Sequence, residues 1–418
     1  MWYDSPVMIQ TLRSRMHATY IKYPRQFWLM FFGLLISRIG SSMIWPFMMI
    51  YVSEKVNLPL TAVAGLLSIN AISGIFSSFL AGPIVDRLGR KWIMVVGLGL
   101  HGLTFLALGQ ATTYPQFVVL MILAGGLSPL YMVGSDAMLA DLVPVEKRTD
   151  AYAMLRLSAN AGIAIGPMIG GMIAATSYNL AFYMAALGLT SYSLLMAFFA
   201  KETLPQHTAL VSEVPRREPF GGYQDIVRDR RFMTFLLLVT LGILPGVLMW
   251  TLMPVYAKQN YGIPESLYGL IPTTNALMVV FLQLPVTSQT KRYRNRLMMA
   301  LGAAFYALGA GSVALASGFF GFWVAMVVMS FGELVLVPTS SSYASILAPV
   351  DKRGRYMSLY GLTWSVAMGI GPIFGGMLND QIGPWAIWVG ALAVGLVGAG
   401  GFLWQAMSQT PVQPQTAE

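Results

Sequence analysis

Four ionisable side chains fall where charge is costly. Arg38, Asp136, Arg156 and Glu333 each sit inside a long apolar run. A charge at membrane depth costs on the order of 2.5–3.5 kcal/mol on insertion scales, so such residues pair with one another or face a polar cavity. Arg38 lies about 11 residues into its run, roughly 16 Å along a helix, which is near the middle of a bilayer. Its position points to solute binding or coupling. Glu333 is similarly deep, one residue after Gly332 in a run that also holds Pro338. A desolvated carboxyl can exchange protons near neutral pH, which makes Glu333 the first candidate proton carrier and Asp136 the second. Asp136 and Arg156 both fall toward one end of their runs, where a structural ion pair between neighbouring helices is the competing reading. Other chemistries have little to build on. The chain has no cysteine, and His17, His101 and His207 are too dispersed to suggest a metal-ligand cluster. No metal, cofactor or enzymatic activity is expected.

The elements that must position these residues are transmembrane helices. Of 418 residues, 56% are hydrophobic and 10% charged, where soluble domains carry about 25% charged residues. A water-exposed surface cannot be made from that composition, so lipid is the expected solvent. Apolar runs of about 18 residues or more, bounded by charge, Pro or Asn, give twelve spans. They cover 27–51, 61–85, 92–110, 116–141, 151–174, 179–200, 232–257, 265–288, 297–316, 319–344, 356–378 and 384–407. The expected fold is an all-α membrane protein with six-helix bundles at 27–200 and 232–407. Residues 1–26 form an N-terminal arm, without the apolar stretch of a cleavable signal. Residues 201–231 are the linker and 408–418 the tail.

Orientation follows from the basic residues. With the amino terminus inside, Lys55 and Lys258 alone fall in external loops, Arg38 and Arg156 lie within spans, and the rest of the 26 Lys and Arg are cytoplasmic. That is the positive-inside pattern, and it places both termini in the cytoplasm. The net charge of +9 is therefore topological, with some attraction to anionic lipid. Positive charge split among short loops argues against a nucleic-acid partner.

The two bundles are copies of one unit. Gly166-Pro167-x-x-Gly170-Gly171 returns 205 residues later as Gly371-Pro372-x-x-Gly375-Gly376. The same offset pairs Trp45 with Trp250, Tyr51 with Tyr256, Asn70-Ala71 with Asn275-Ala276, Arg87 with Arg292 and Gly97 with Gly302. Parallel repeats of this kind mark the halves of a common transporter architecture. In this register the counterparts of Arg38, Asp136, Arg156 and Glu333 are Ile243, Ser341, Gly361 and Ser128. None is ionisable, so scaffold symmetry does not explain the four charges.

Between the second and third spans runs Gly82-Pro-Ile-Val-Asp86-Arg87-Leu-Gly89-Arg90-Lys91. Glycines let helix ends approach, and a carboxylate beside several cations can pair with neighbouring helix ends. A basic stop-transfer loop would explain the cations but neither the two glycines nor an Asp directly before Arg. The decapeptide resembles the hallmark loop of the major facilitator superfamily, G-x-x-x-D-R-x-G-R-[KR], at every defined position. The resemblance covers residues 27–407. It implies two bundles that rock about a midplane site, and a latch in which Asp86 faces the span beginning near Arg355 while Arg90 pairs with Asp141. The second copy has Lys291 where the first has Asp86, so the latch is expected to be asymmetric.

The fifth span carries Gly162-x-x-x-Gly166-Pro167-x-x-Gly170-Gly171. Glycines at helical spacing make a smooth contact face, and Pro167 removes a backbone hydrogen bond. Generic small-residue packing shares that physics, and the duplicate at 371–376 leaves a scaffold role open. The full pattern resembles the antiporter motif of drug–proton exchangers, where it seals the interface between halves. One departure is that Leu120–Gly126 lacks the Arg usual early in the fourth span of that group. The resemblance as a whole implies a monomeric, proton-coupled multidrug antiporter in a prokaryotic plasma membrane, exporting an amphipathic or lipophilic small molecule. The alternatives are a symporter importing an organic anion or other nutrient, anchored by Arg38, and, more remotely, a membrane-embedded enzyme or sensor.

Overall fold

The computed structural model describes residues 23–204, 223–349 and 352–408. Most of the expected N-terminal arm, the middle of the linker and nearly all of the tail lie outside these residues. The described chain contains twelve helices long and apolar enough to cross a membrane. They are α1 Arg25–Val56, α2 Leu60–Leu88, α3 Arg90–Gln110, α4 Tyr114–Leu142, α5 Val145–Ala174 and α6 Tyr178–Phe199 in the first half. The second half holds α7 Arg230–Thr251, α8 Glu265–Thr290, α9 Asn295–Leu315, α10 Phe319–Leu347, α11 Arg353–Gln381 and α12 Ala386–Ser408.

Each helix matches one apolar run, and the ends differ by a few residues. The largest extension is at α5, which starts at Val145 rather than 151. Pro144 caps it, and its first turn (Val145-Glu-Lys-Arg) needs helical hydrogen bonds but no lipid. Local signals set several other starts. Gln116 Oε1 accepts the Thr112 and Thr113 backbone N–H groups at 2.8 and 3.1 Å in a capping box before α4. Asp229 accepts from Phe232 N at 3.1 Å before α7. The spans α1 and α7 are each interrupted at equivalent points. α1 passes through a 3-10 turn at Trp45–Phe47, and α7 stops at Thr251 before a short helix, Met253–Tyr261.

Packing within the halves obeys the repeat. α1 lies against α5 and α6, as α7 lies against α11 and α12; α2 packs on α4 as α8 packs on α10. Individual contacts keep the offset. The Tyr51–Phe117 rings meet edge-on at 6.1 Å, and their counterparts Tyr256–Phe322 at 5.9 Å. Gly97 rests on Tyr131 and Gly302 on Leu336; Gly170 faces Met43 and Gly375 faces Leu248. In each pair of contacts both partners shift by the same 205 positions. Large apolar side chains such as Phe76, Phe281 and Leu284 remain exposed on the outside, where acyl chains would cover them.

The halves meet along two seams, α2 against α11 and α5 against α8. These seams are also related by the repeat. A methyl group on Gly171 would run into the Glu265 backbone carbonyl, and one on Gly376 would lie 2.7 Å from Thr61 Cα and 3.1 Å from the Leu60 carbonyl carbon. Leu60 and Glu265 are themselves repeat partners. Close approach at these two glycines therefore closes the face opposite the chain ends, termed here the far face. The face carrying residues 25, 200, 230 and 408 is the terminal face.

Candidate functional site

Around the central axis the halves enclose a cavity of about 460 Å³, within the range of small-molecule sites. Nine spans contribute to it. Arg38 enters from α1 and Glu333 from α10. Asn70, Ser128, Asn160 and Asn275 supply neutral polar groups; Trp45, Met48, Phe105, Met121, Trp250, Trp364 and Met368 supply a broad aromatic and thioether wall. Such walls accommodate varied apolar shapes.

The two ionisable groups are held differently. The backbone at Arg38 is clamped, since Ser42 Oγ donates to its carbonyl at 2.6 Å and to the Gly162 carbonyl at 3.1 Å. Gly162 is also where α5 crosses the base of Arg38, and a methyl there would fall 2.6 Å from Arg38 Cβ. The guanidinium beyond this fixed base has no hydrogen-bond or ion-pair partner among the described residues. Across the cavity, Asn275 Nδ2 donates to Glu333 Oε2 at 2.8 Å and to Ser330 Oγ at 2.9 Å. Glu333 Oε1 accepts no hydrogen bond among the described residues. No ion pair joins Arg38 to Glu333.

Asp136 and Arg156 are placed elsewhere. Both are exposed near the terminal face, outside the central cavity, and no ion pair forms between them. Tyr152 donates instead to the Asp136 backbone carbonyl at 3.0 Å. The α4–α5 ion pair offered as a structural reading is thus not made here. Position along a helix does not fix rotation about its axis, which decides whether two such residues meet.

His101, which sequence reasoning left aside, lines the cavity from α3. It is 7% exposed, packs between the Phe105 and Tyr131 rings, and has a buried Nδ1 without a partner among the described residues. Asn70 and Asn275, paired by the 205-residue repeat, both reach the cavity. Asn70 meanwhile donates to the Met121 carbonyl at 3.2 Å.

The antiporter-type motif divides its work. Gly162, Gly166 and Gly170 meet α1 at Arg38, Ser42 and Met43, all within the first half. Gly171 and Pro167 face the second half, where the Pro167 carbonyl abuts Gly269. The α5–α8 seam continues at Thr273 Oγ1, which donates to the Ala164 carbonyl at 3.2 Å.

The far face carries most of the polar contacts between halves. Asp380 at the end of α11 accepts Leu60 N at 3.1 Å, Thr61 N at 2.8 Å and Thr61 Oγ1 at 2.7 Å. On the other seam Tyr178 donates to Glu265 Oε1, while Lys258 Nζ pairs with Glu265 Oε2 at 3.0 Å. Gln259 donates to Ser53 Oγ at 2.7 Å. Deeper in, Ser68 donates to the Gly369 carbonyl.

On the terminal face the loop between α2 and α3 is tied within its own half. Arg90 Nε pairs with Asp141 at 3.1 Å. Asp86 is 69% exposed and touches Arg90 NH2 at 3.4 Å, rather than the start of α11 near Arg355. A residue the motif did not announce completes the loop. Glu202 accepts Arg90 N at 2.9 Å and Lys91 N at 3.1 Å, capping α3. Gly89 makes this possible: its φ is +92°, and a Cβ there would lie 2.5 Å from the Glu202 carboxylate. Methyl groups at Gly82 on α2, or at Gly354 and Gly361 on α11, would meet nothing within 4 Å. The second copy of the loop is rewired, with Arg296 donating to Tyr343 Oη and the Gln405 carbonyl, both at 2.9 Å.

Comparison with known proteins fits this architecture. A Major Facilitator Superfamily model matches residues 30–259 and 246–418. Relatives include the uncharacterized MFS-type transporter YhjO of Bacillus subtilis, 26% identical, covering 92% of this chain and 94% of that protein. A Na(+), Li(+), K(+)/H(+) antiporter of Planococcus maritimus is 27% identical, covering 79% and 84%. The multidrug resistance protein MdtH of Cronobacter sakazakii is 25% identical, covering 81% and 83%. Among solved structures, the nucleoside transporter NupG superposes with a TM-score of 0.76 at 12% identity, covering 92% of this chain and 100% of that one; this likeness shows the fold. Twelve spans, two repeat-related halves around one cavity and the family match across both halves lead to one conclusion: the chain belongs to the Major Facilitator Superfamily and is a multi-pass secondary transporter, not an enzyme.

Proposed function

We propose that the protein exports amphipathic small molecules in exchange for protons, across a bacterial plasma membrane with both termini in the cytoplasm. The observation that carries this reading is the central cavity itself: a lone carboxylate, Glu333, set into an aromatic and methionine-rich wall between two halves. Polar contacts tie the far face shut, while on the terminal face Asp86 pairs with Arg90 of its own loop and the glycines of α2 and α11 meet no neighbour among the described residues. In this reading the conformation is open toward the cytoplasm. A solute enters from that side, displaces the proton from Glu333, and the halves rock about the midplane. Outside, a proton returns to Glu333 and resets the carrier. Asp86 would meet the amino end of α11 near Arg355 once the terminal face closes, with Arg90–Asp141 holding the loop in shape. The cavity is completed within one chain, so a monomer suffices. The cation/H(+) antiporter relative supports exchange over uniport, and the multidrug resistance relative supports a drug-like solute.

The test is transport by Glu333→Gln in proteoliposomes with an imposed pH gradient, using a panel of lipophilic cations and organic anions. Gln keeps size and hydrogen bonding but cannot ionise. Proton-driven accumulation should vanish while solute counterflow continues. Normal pumping by the variant would remove Glu333 as carrier and pass the role to Asp136. A second reading, symport of an organic anion, is favoured by the unpartnered Arg38. In that case proton and solute would move in the same direction.

A further inference from the structure

Resting on the proton-exchange reading above, we infer that the solute is amphoteric: an aromatic or aliphatic body bearing an anionic group for Arg38 and a cationic group for Glu333. The two charges stand on opposite halves of one cavity, and no ion pair joins them. Each has its backbone or one edge anchored and its remaining polar edge unfilled. Arg38 is fixed at its base by Ser42 and Gly162, with its guanidinium unpartnered among the described residues. Glu333 uses one oxygen on Asn275 and leaves the other free. A guanidinium has five donors and no acceptor, so an anion or neutral acceptor on the solute is what would complete it.

Coupling logic separates the possible charge types. A singly charged cation would be drawn to Glu333 but repelled by Arg38 in a confined, poorly screened space. A singly charged anion would bind Arg38, and protonation of Glu333 would strengthen its binding by removing a nearby negative charge. That gives co-binding of proton and solute, which is symport. An amphoteric solute satisfies Arg38 with its acid and Glu333 with its base, so a proton at Glu333 competes directly with its cationic end. Competition of that kind is what exchange requires. The clamp also joins α1 to α10, one helix from each half, so solute binding draws the halves together.

The groups around the two charges do not duplicate them. Near Glu333 stand the Tyr306 phenol from α9 and, beyond it, Tyr360 from α11. Residues 232–251 of α7 and 269–290 of α8 contain no ionisable side chain. Near Arg38 stand His101 from α3 and Tyr192 from α6. Glu333 is thus the lone carboxylate lining the cavity among the described residues.

The test is equilibrium binding to purified protein in nanodiscs by calorimetry, with quenching of the cavity tryptophans as a second signal. Four probes share one biphenyl body: a carboxylate, an aminomethyl cation, the zwitterion bearing both, and the neutral parent. Wild type should bind the zwitterion about tenfold or more tighter than either singly charged probe, the scale of one added charge-assisted contact. Acidification should weaken the zwitterion and the cation but not the carboxylate. Arg38→Gln should reduce the zwitterion about tenfold and leave the cation unchanged or improved. Arg38→Lys, which keeps the charge, should restore most of the loss. Glu333→Gln should bring the zwitterion to the level of the carboxylate and flatten its pH dependence. Equal binding of zwitterion and cation, or indifference to Arg38→Gln, would overturn the inference. The two readings fail separately. A zwitterion bound as described but moved without counter-flow of protons would sink exchange and leave the clamp standing. Proton exchange with the simple cation, and no preference for the zwitterion, would sink the clamp and leave exchange standing.

Discussion

Replacing Asp380 by Ala would remove four hydrogen bonds: three from the other half, donated by Leu60 N, Thr61 N and Thr61 Oγ1, and one within its own half, donated by Asn379 Nδ2 at 3.0 Å. Two of them are the first backbone donors of α2, which no carbonyl of their own helix can satisfy. The carboxylate therefore acts as an N-cap supplied from the other half of the molecule, favoured also by the positive end of the helix. Cap removal costs about 1 kcal/mol in typical hosts, and the exposure of Asp380 argues for that middle value over the upper end. What matters is where the cost falls. Inside the halves only the exposed Asn379–Asp380 contact is lost, so the loss bears mainly on the closed far face and spares the open one. About 1 kcal/mol then shifts the closed-to-open ratio of that face roughly fivefold. The chain has no cysteine, so single-cysteine pairs placed on loop positions of the far face can carry spin labels without background. Distance distributions by pulsed electron resonance should gain a longer component in Asp380→Ala. Thr61→Ala, which loses one of the three bonds, should shift it less. An unchanged distribution in Asp380→Ala, with the fold intact, would refute the idea that this cap holds the far face shut.

Further outcomes follow from other contacts. Gly171→Leu drives a side chain into the Glu265 carbonyl; overpacking of about 1–3 kcal/mol at the α5–α8 seam should widen the far face and cut transport by more than about tenfold, and the same label pairs would show it. Asp86→Asn should slow transport strongly with little loss of expression, while Lys291→Asn does much less; equal slowing in a vesicle uptake assay would contradict the asymmetry of the two loops. The Lys352 ammonium beside Asp225 holds that carboxyl below its usual range. Its contribution to docking the short helix Tyr223–Arg228 is therefore complete above the unfolded value of about 3.9 and fades as pH falls through the folded value. Hydrogen exchange at 223–229, corrected for intrinsic rates, should lose protection in that acid window, and Lys352→Met should show the same loss at neutral pH.

The spans and the repeat were legible because they depend on composition and spacing along one helix. Apolar run lengths placed all twelve helices, and the 205-residue offset recurs in contacts such as Tyr51–Phe117 and Tyr256–Phe322. Arg38 and Glu333, singled out by their places within apolar runs, both reach the cavity. Depth without azimuth misled at Asp136 and Arg156, which lie near the same level without meeting. Partners far apart in sequence were invisible. Glu202 caps α3 from 112 residues away, and Asp380 caps α2 across 320; neither pairing leaves a local pattern. His101 gave no signal because a single histidine in an apolar run looks the same whether it faces lipid, core or cavity.

The two far-face seams share geometry but not chemistry, and on the proposed rocking mechanism this difference would set an order of events. At α5–α8, the Glu265 carboxylate is almost wholly buried between Tyr178 and Lys258. At α2–α11, the corresponding hold is Asp380, open to water. Water can replace the partners of Asp380 one bond at a time, whereas separating Tyr178 from Glu265 leaves a buried charge short of a donor. On that mechanism the wet seam would part first and the dry one would act as the pivot. Opening would then proceed as a door swings, from one edge, with the free edge set at α2 and α11.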